Sequence, residues 1–381
     1  MSLPSLRRCA SLALPALATF AAASQAQAED ATTPAAAPTP APVAPGAVPV
    51  TPGAPVAPGA ENPTAPGSFS GTAHSDAAAT PVKSTPANRW YSLGATLSAG
   101  YDSNVLLAAA NTPTPSGQHS AALGVDAHAT VRILDAPEHG LVTADTTRLA
   151  ASASLGYDDY PGHEKERLLR AGGLVVGHQR FGTWDPGLLV SYNHYALDGK
   201  SVANVTSGEA FVSHIYPSYK NVDILTGGVQ YLAFPTEQDR SGSLIGLGLR
   251  HWFLPTAKET RRRIEFGLAV SDYVAKSDVQ SYLGITPSLG TSWRLGAVEP
   301  TTGTIDLGAL AQYEYRGYRE TNPLGNERER QQILSLSGNA DYWLCRNATL
   351  GGYVGLTRRM SNIDPDQYTR FQIGARLGMS Y

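Results

Sequence analysis

The chain has 381 residues, a formal net charge of −3 and only 16% charged residues, against about 25% in ordinary soluble domains. This near-neutral balance excludes a basic surface of the kind that binds nucleic acid, so no nucleic-acid partner is expected. After the N-terminal segment, no apolar run reaches the roughly 18 residues that a membrane-spanning helix requires.

Residues 1–28 have the pattern of a secretory signal peptide. Arg7 and Arg8 supply the positive start, an apolar segment rich in Ala and Leu follows, and Ala26-Gln27-Ala28 forms a small-x-small cleavage site. Removal of this segment would leave Cys345 as the sole cysteine, so no intrachain disulfide is expected.

Residues 29–87 are dominated by Pro and Ala, with thirteen prolines between Pro34 and Pro86. Such a composition buries too little apolar surface to offset the entropy lost on ordering. We therefore predict a disordered, polyproline-like tether on the periplasmic side. A simple spacer is favoured over an arm that contacts peptidoglycan or an inner-membrane partner.

From Trp90 onward the sequence alternates between apolar and polar residues. Apolar side chains occupy every second position from Tyr91 to Tyr101, and again from Ala121 to Ile133. A period of two is typical of a β-strand with one apolar and one polar face. Runs of 11 and 13 residues are longer than the 5–6 residues usual for soluble strands and long enough to cross a bilayer at a tilt.

The alternation recurs to the end of the chain. It predicts an all-β fold, a transmembrane antiparallel up-and-down β-barrel of about 14 strands (roughly 12–16) over residues 88–381, preceded by the disordered Pro/Ala-rich segment. Besides the first two, we expect strands near 148–158, 167–180, 187–196, 207–216, 222–233, 243–254, 262–274, 280–294, 304–316, 333–344, 348–358 and 368–381.

Connection lengths and aromatic residues support this assignment of strands. Long connections are predicted after odd strands, including Asp102–Ser120, Leu197–Ser207 and Gly317–Gln331, and shorter turns such as Cys345-Arg-Asn347 after even ones. Tryptophans fall at the ends of strands on one side of the barrel, and tyrosines dominate the other ends, as expected of aromatic girdles. The tryptophans are Trp90, Trp184, Trp252, Trp293 and Trp343, and the tyrosines include Tyr101, Tyr157, Tyr192, Tyr195, Tyr231, Tyr273 and Tyr315.

The polar faces of the predicted strands carry charges of both signs, which suits a wet lumen. The candidate lumen-lining residues are Asp126, His128, Arg132, Arg148, Glu265, Asp306, Gln312, Glu314, Arg316, Asn339, Asp341 and Arg376.

No pattern of an enzyme or a cofactor site is found. The sequence has no Gly-x-Ser-x-Gly, no His-Glu-x-x-His and no cysteine cluster, so neither catalysis nor a cofactor is expected. His128 is interpreted as a hydrogen-bonding residue of the lumen rather than a catalytic base. Asp158-Asp159, with Glu164 and Glu166, is interpreted as a solvated acidic outer loop in preference to a divalent-cation site.

The last strand, Phe371–Tyr381, alternates without interruption and ends on an aromatic residue. It resembles the assembly signal of bacterial outer-membrane barrels, which implies that the barrel-assembly machinery is a partner. The matching positions are Gln372, Gly374, Leu377, Met379 and Tyr381.

Two internal segments resemble known families. Gly100-Tyr-Asp-Ser-Asn-Val105 is similar to the opening hairpin of the β-barrel porin family, several members of which are associated with exopolysaccharide secretion. Tyr353–Asp364 is similar to the barrel of surface-lipoprotein assembly modifiers.

Together these patterns predict a bacterial outer-membrane protein that contacts outer-membrane lipid. Its expected function is that of a porin or channel, allowing small solutes or a polymer through a polar lumen. Two alternatives stay open at this point: an accessory barrel for the export of exopolysaccharide or surface protein, and a structural anchor between the outer membrane and the cell wall.

Overall fold

Strands form almost all of the chain that the computed structural model describes, which comprises residues 90–103, 120–134, 147–161, 167–256, 262–297, 301–322, 326–363 and 367–380. The predicted signal peptide, tether and most of the first long loop lie outside these ranges. Within them the chain forms fourteen strands and two short 3-10 helices, Gln238–Arg240 and Asp278–Gln280. The strands are β1 Tyr91–Asp102, β2 Ser120–Leu134, β3 Thr147–Asp159, β4 Leu168–Gln179, β5 Trp184–Leu197, β6 Lys200–Ile215, β7 Asn221–Ala233, β8 Gly242–Phe253, β9 Arg263–Ala275, β10 Tyr282–Leu295, β11 Ile305–Asn322, β12 Glu327–Cys345, β13 Ala348–Ser361 and β14 Tyr368–Ser380.

Each strand pairs antiparallel with its neighbours in sequence, and β1 also pairs with β14, so the sheet closes into a barrel. In the closing pair Leu97 lies opposite Leu377, and on the other side of β1 it lies opposite Val125. The predicted all-β, antiparallel, up-and-down barrel is therefore confirmed. No described residue belongs to a helix with the length and hydropathy needed to cross a membrane.

The two faces of the sheet differ in the way that a barrel in lipid requires. Large apolar side chains point outward and stay exposed, among them Leu247 (66%), Leu188 (65%) and Val190 (58%). Residues that alternate with them point inward, and many are polar. We call the end where β1 begins and β14 ends the terminal rim, and the other end the opposite rim.

Two predicted loops are wrong because strands extend through them. β5 and β6 are joined by Asp198 and Gly199 alone, both with positive φ (47° and 74°), the backbone geometry of a tight hairpin turn. Residues 200–207 of the predicted loop Leu197–Ser207 thus belong to β6. The predicted loop Gly317–Gln331 shrinks to the four residues between Asn322 and Glu327. In both cases polar residues suggested a loop, yet each segment pairs with a neighbouring strand.

The tryptophans lie at or beside the terminal rim, but they do not form a single girdle. Trp90 (65% exposed) and Trp184 (51%) lie on the outer wall, whereas Trp343 points inward and is 1% exposed. Tyr195 and Tyr273, predicted for the girdle at the opposite rim, also lie on the inner wall and are 5% and 6% exposed. These inward aromatic residues therefore pack in the barrel interior and not on its outer wall.

Candidate functional site

The inner wall of the barrel carries the polar residues from which a site can be built. The register places every candidate predicted from the sequence on the inward phase of its strand: Asp126, His128, Arg132, Arg148, Glu265, Asp306, Gln312, Glu314, Arg316, Asn339, Asp341 and Arg376. Most of the charged candidates are held in ion pairs.

The seam between β1 and β14 is closed from inside by a buried ion pair. Asp102 is 0% exposed and accepts hydrogen bonds from Arg370 Nε at 2.9 Å and from Gln372 Nε2 at 3.0 Å. Asp102 and Arg370 were missed as interior residues, because Asp102 was interpreted as the start of a turn. They bind each other across 268 positions of sequence, so no local pattern predicts the pair.

Two further pairs lie at the terminal rim. Arg376 donates through Nε to Asp341 Oδ1 at 2.8 Å, and Asn339 donates to the same carboxylate at 2.9 Å. Arg294 and Trp343 both bind Asp306, the indole donating to Oδ2 at 2.8 Å. Trp343 therefore has a specific polar role in the interior.

A bidentate pair lies further along the same side of the wall, on β11. Arg316 donates to both oxygens of Glu314, at 2.6 and 3.0 Å. Both residues are almost fully buried, and the guanidinium of Arg316 lies 4.9 Å from the ring centroid of Tyr282. We call the three pairs Asp102–Arg370, Asp341–Arg376 and Glu314–Arg316, of which only Arg376 is partly exposed, the paired arc.

The predicted acidic loop at Asp158-Asp159 is wrong for its first part, because both residues belong to β3 and bind arginines. Arg170 contacts Asp158 at 3.1 Å and Asp126 at 3.0 Å, and Arg167 contacts Asp159 at 3.2 Å. Both carboxylates are therefore already held in ion pairs, and Asp158 shares Arg170 with Asp126. Glu164 and Glu166 lie outside the described residues, and no group of metal-ligating side chains occurs among those the structure describes.

The Asp126–Arg170 pair differs from the paired arc in its exposure. Its side chains are 44% and 37% exposed, and Ser154 and Ser337 on the inner wall are also exposed. These positions border open space in the interior. Tyr160, just beyond β3, lies near both Asp158 and Arg370, and its burial raises the pKa of the phenol.

Two further candidates predicted from the sequence, Glu265 and His128, also have defined contacts on the inner wall. Glu265 contacts Arg263 at 3.3 Å and Arg250 at 3.6 Å across the β8–β9 pair. The ring of His128 lies over Gly94, where a Cβ would be 2.2 Å from Cε1. Any larger residue at position 94 would displace this imidazole.

A second part of the inner wall is apolar, which the sequence analysis did not predict. The residues lie on β4–β10 near the opposite rim, and Leu244 (0% exposed) and Leu168 (1%) are the most buried. We call this cluster the apolar arc: Leu168, Tyr195, Ala203, Val205, Leu232, Leu244, Tyr273, Ala275 and Tyr282. The sequence of these strands shows the alternation of side chains between two faces. Because both faces carry apolar residues, the sequence does not indicate which face points inward.

The C-terminal signal positions divide between the two faces. Gln372 and Gly374 point inward, whereas Leu377 and Met379 lie on the outward phase of β14. Leu377 is nevertheless only 1% exposed. Tyr381 lies outside the described residues.

No protein-family model and no curated protein matches the chain. Solved structures similar to it are outer-membrane barrels. OccAB4 of Acinetobacter baumannii has 9% identity and a TM-score of 0.40, with 78% of this chain and 100% of that chain covered. A bacterial polysaccharide outer membrane secretin has 10% identity and a TM-score of 0.38, covering 76% and 98%. An anion-selective porin from Comamonas acidovorans has 9% identity and a TM-score of 0.35, covering 76% and 99%. At these values the likeness is one of fold alone.

Proposed function

We propose that this protein is a channel of the bacterial outer membrane that lets solutes, or a polymer strand, pass through its polar interior. The observation that carries the proposal is the contrast between the two faces of the closed sheet. Exposed apolar side chains cover the outside, and charged side chains of both signs line the inside. Passage through such a channel is diffusion and involves no covalent chemistry.

The strand number supports a usable interior. Barrels of eight strands are filled by their own side chains, whereas those of 16–18 strands leave an aqueous channel. Fourteen strands lie between these sizes. The exposure of Ser154 and Ser337 on the inner wall supports space for solvent between the packed residues.

In the proposed orientation the terminal rim faces the periplasm. Connection lengths do not distinguish the two rims, since a two-residue turn lies at each, Arg346-Asn347 at the terminal rim and Asp198-Gly199 at the opposite rim. The orientation would place the exposed Trp90 and Trp184 at the inner interface of the membrane. The outer wall would contact outer-membrane lipid, β14 would be recognised by the barrel-assembly machinery, and residues 29–87 would extend into the periplasm toward peptidoglycan or an inner-membrane partner.

Ion conductance of the purified protein in a planar bilayer tests the proposal. Cysteine variants made in a Cys345→Ser background make the test more specific, because they report which wall faces the aqueous interior. Ser337→Cys places a thiol on the exposed inner wall, and Leu336→Cys places one on the adjacent outward position, which is 40% exposed.

A cationic methanethiosulfonate reagent added to the aqueous phase should change the conductance of Ser337→Cys and leave that of Leu336→Cys unchanged. A folded barrel without ion current would contradict the open-channel proposal. An equal response of the two variants would contradict the assignment of inner and outer walls.

A further inference from the structure

Arg148 and Arg180 depart from the pairing found elsewhere on the inner wall. Arg148 is the second residue of β3, and Arg180 directly follows β4, so both lie at the terminal rim. In the part of the chain that the structure describes, three of their N–H donors have no hydrogen-bond partner: Arg148 Nε, Arg148 Nη2 and Arg180 Nη1. Arg180 is only 2% exposed and has a second donor, Nε, bound to the carbonyl of Gly182 at 2.8 Å.

Among the residues that the structure describes, the charges at this corner do not balance. Arg148 lies opposite His178 in the β3–β4 pair, and Arg180 is two residues beyond His178, so the two arginines are neighbours at this rim. Asp185 already contacts His178, with 2.8 Å between Oδ1 and the imidazole Nδ1. The two guanidiniums and the single carboxylate leave an excess of positive charge, which His178 cannot offset because an imidazole supplies no negative charge. By contrast, Arg316, Arg370 and Arg376 each contact a carboxylate of their own.

Unsatisfied guanidinium donors in a buried setting are costly. A buried polar group without a partner costs about 1–3 kcal/mol, and more when it is charged. The guanidinium fork has a fixed planar geometry that matches carboxylate and phosphate oxygens. A ligand with such oxygens would satisfy the open donors and neutralise the excess charge together.

We infer that Arg148 and Arg180 form a binding subsite for an oxyanion, a carboxylate or phosphate group, on the inner wall near the terminal rim. The inference rests on the proposed function only in naming a passing solute as the source of the oxyanion. The ligand's oxygens accept hydrogen bonds from both guanidiniums. His178 and Asp185 form the wall beside them and set the net charge of the subsite.

Phosphate binding to the mature protein in detergent micelles tests the subsite without requiring transport. Isothermal titration calorimetry with sodium phosphate, at constant ionic strength maintained with sodium chloride, gives the dissociation constant. Arg148→Gln and Arg180→Gln should each weaken phosphate binding at least about 10-fold, the effect of losing one charge-assisted hydrogen bond. Arg319→Gln is the matched control, because Arg319 pairs with Asp272 on the outer wall at the opposite rim.

Folding is checked by the mobility of unheated protein on a gel. Arg148→Lys is a second variant that keeps the charge but removes the planar fork, and it should bind phosphate more weakly than the wild type and more tightly than Arg148→Gln. No saturable phosphate binding by the wild type, or the same loss in Arg319→Gln as in the two inner variants, would overturn the subsite.

Conductance separates this inference from the proposed function. Ion current without phosphate binding would support the channel proposal and contradict the subsite. Phosphate binding that depends on both arginines, in a barrel that passes no current, would support the subsite and contradict the channel proposal.

Discussion

The paired arc and the apolar arc belong to the same inner wall, yet they are stabilised in opposite ways. In the paired arc, carboxylates and guanidiniums of β1, β11, β12 and β14 bind one another, and Asp102 and Glu314 are at most 1% exposed. In the apolar arc, Leu168 and Leu244 pack among buried tyrosines. The inner wall of one closed barrel can therefore be stabilised either by ion pairs or by apolar packing.

The difference between the arcs has a consequence for passing solutes. Each ion pair of the paired arc is neutral in sum, and the apolar arc carries no charge. Neither arc gives the interior a strong preference for one sign of ion. Selectivity would then depend on positions that depart from both patterns, such as the exposed pair Asp126–Arg170 and the corner at Arg148 and Arg180.

The largest effect is expected from breaking one pair of the paired arc. Arg370→Met leaves Asp102 buried without its guanidinium partner, while Gln372 still donates to it. Removal of one partner of a buried pair costs about 3–5 kcal/mol, so the free energy of unfolding in lipid vesicles should fall by about that amount. Urea titration, with folding read from gel mobility, measures it.

The double variant Asp102→Leu, Arg370→Met is the control for that experiment. Two apolar residues in place of a buried pair are often neutral or stabilising, so much of the lost stability should return. A double variant as unstable as Arg370→Met alone would mean that the pair does more than neutralise charge at the seam.

A slightly smaller effect is expected in the apolar arc. Leu244→Ala removes a side chain that is 0% exposed and should lower the free energy of unfolding by about 2–5 kcal/mol through lost burial and a cavity. Because no charge is involved, the loss should be the same at low and high salt. A loss that changes strongly with ionic strength would show that the arc is not held by apolar packing.

An intermediate loss in the free energy of unfolding is expected when the polar contact of Trp343 is removed. Trp343→Phe keeps an aromatic ring inside but removes the donor to Asp306, which retains Arg294. A lost hydrogen bond to a charged group is worth about 1.5–3 kcal/mol. Trp293→Phe on the outward phase of β10 is the matched control, and equal losses in the two variants would contradict a special role for the inner indole.

Much of this fold was predictable because alternation is a local property of sequence. The run from Tyr91 to Tyr101 differs from the observed β1 by one residue, and the number of strands was correct. The prediction failed at 200–206, where polar residues on both faces of a strand look like a loop. Pairing with β5 and β7 through ladder hydrogen bonds holds that segment extended.

The inner contacts were much less predictable than the fold. The inward phase of Glu314 and Arg316 follows from alternation, and their spacing of two residues allows the contact that is observed. Asp102 and Arg370 meet only because the first and last strands close the barrel in one particular register, which no local pattern states. The apolar arc was missed for a similar reason, since it gathers residues from seven strands.

The smallest effect is expected at Asp126–Arg170, and it sharpens the distinction between buried and exposed pairs. Its side chains are 44% and 37% exposed, and exposed pairs contribute about 0–1 kcal/mol, which salt screens further. Arg170→Gln should therefore change the free energy of unfolding by no more than about 1 kcal/mol, measured by the same urea titration as Arg370→Met. Its larger consequence would be electrostatic, because it leaves Asp126 and Asp158 without their shared cation beside open space. In a conducting barrel the variant should shift the reversal potential in a potassium chloride gradient toward cation preference. A loss of several kcal/mol instead would mean that this pair is structurally equivalent to the paired arc despite its exposure.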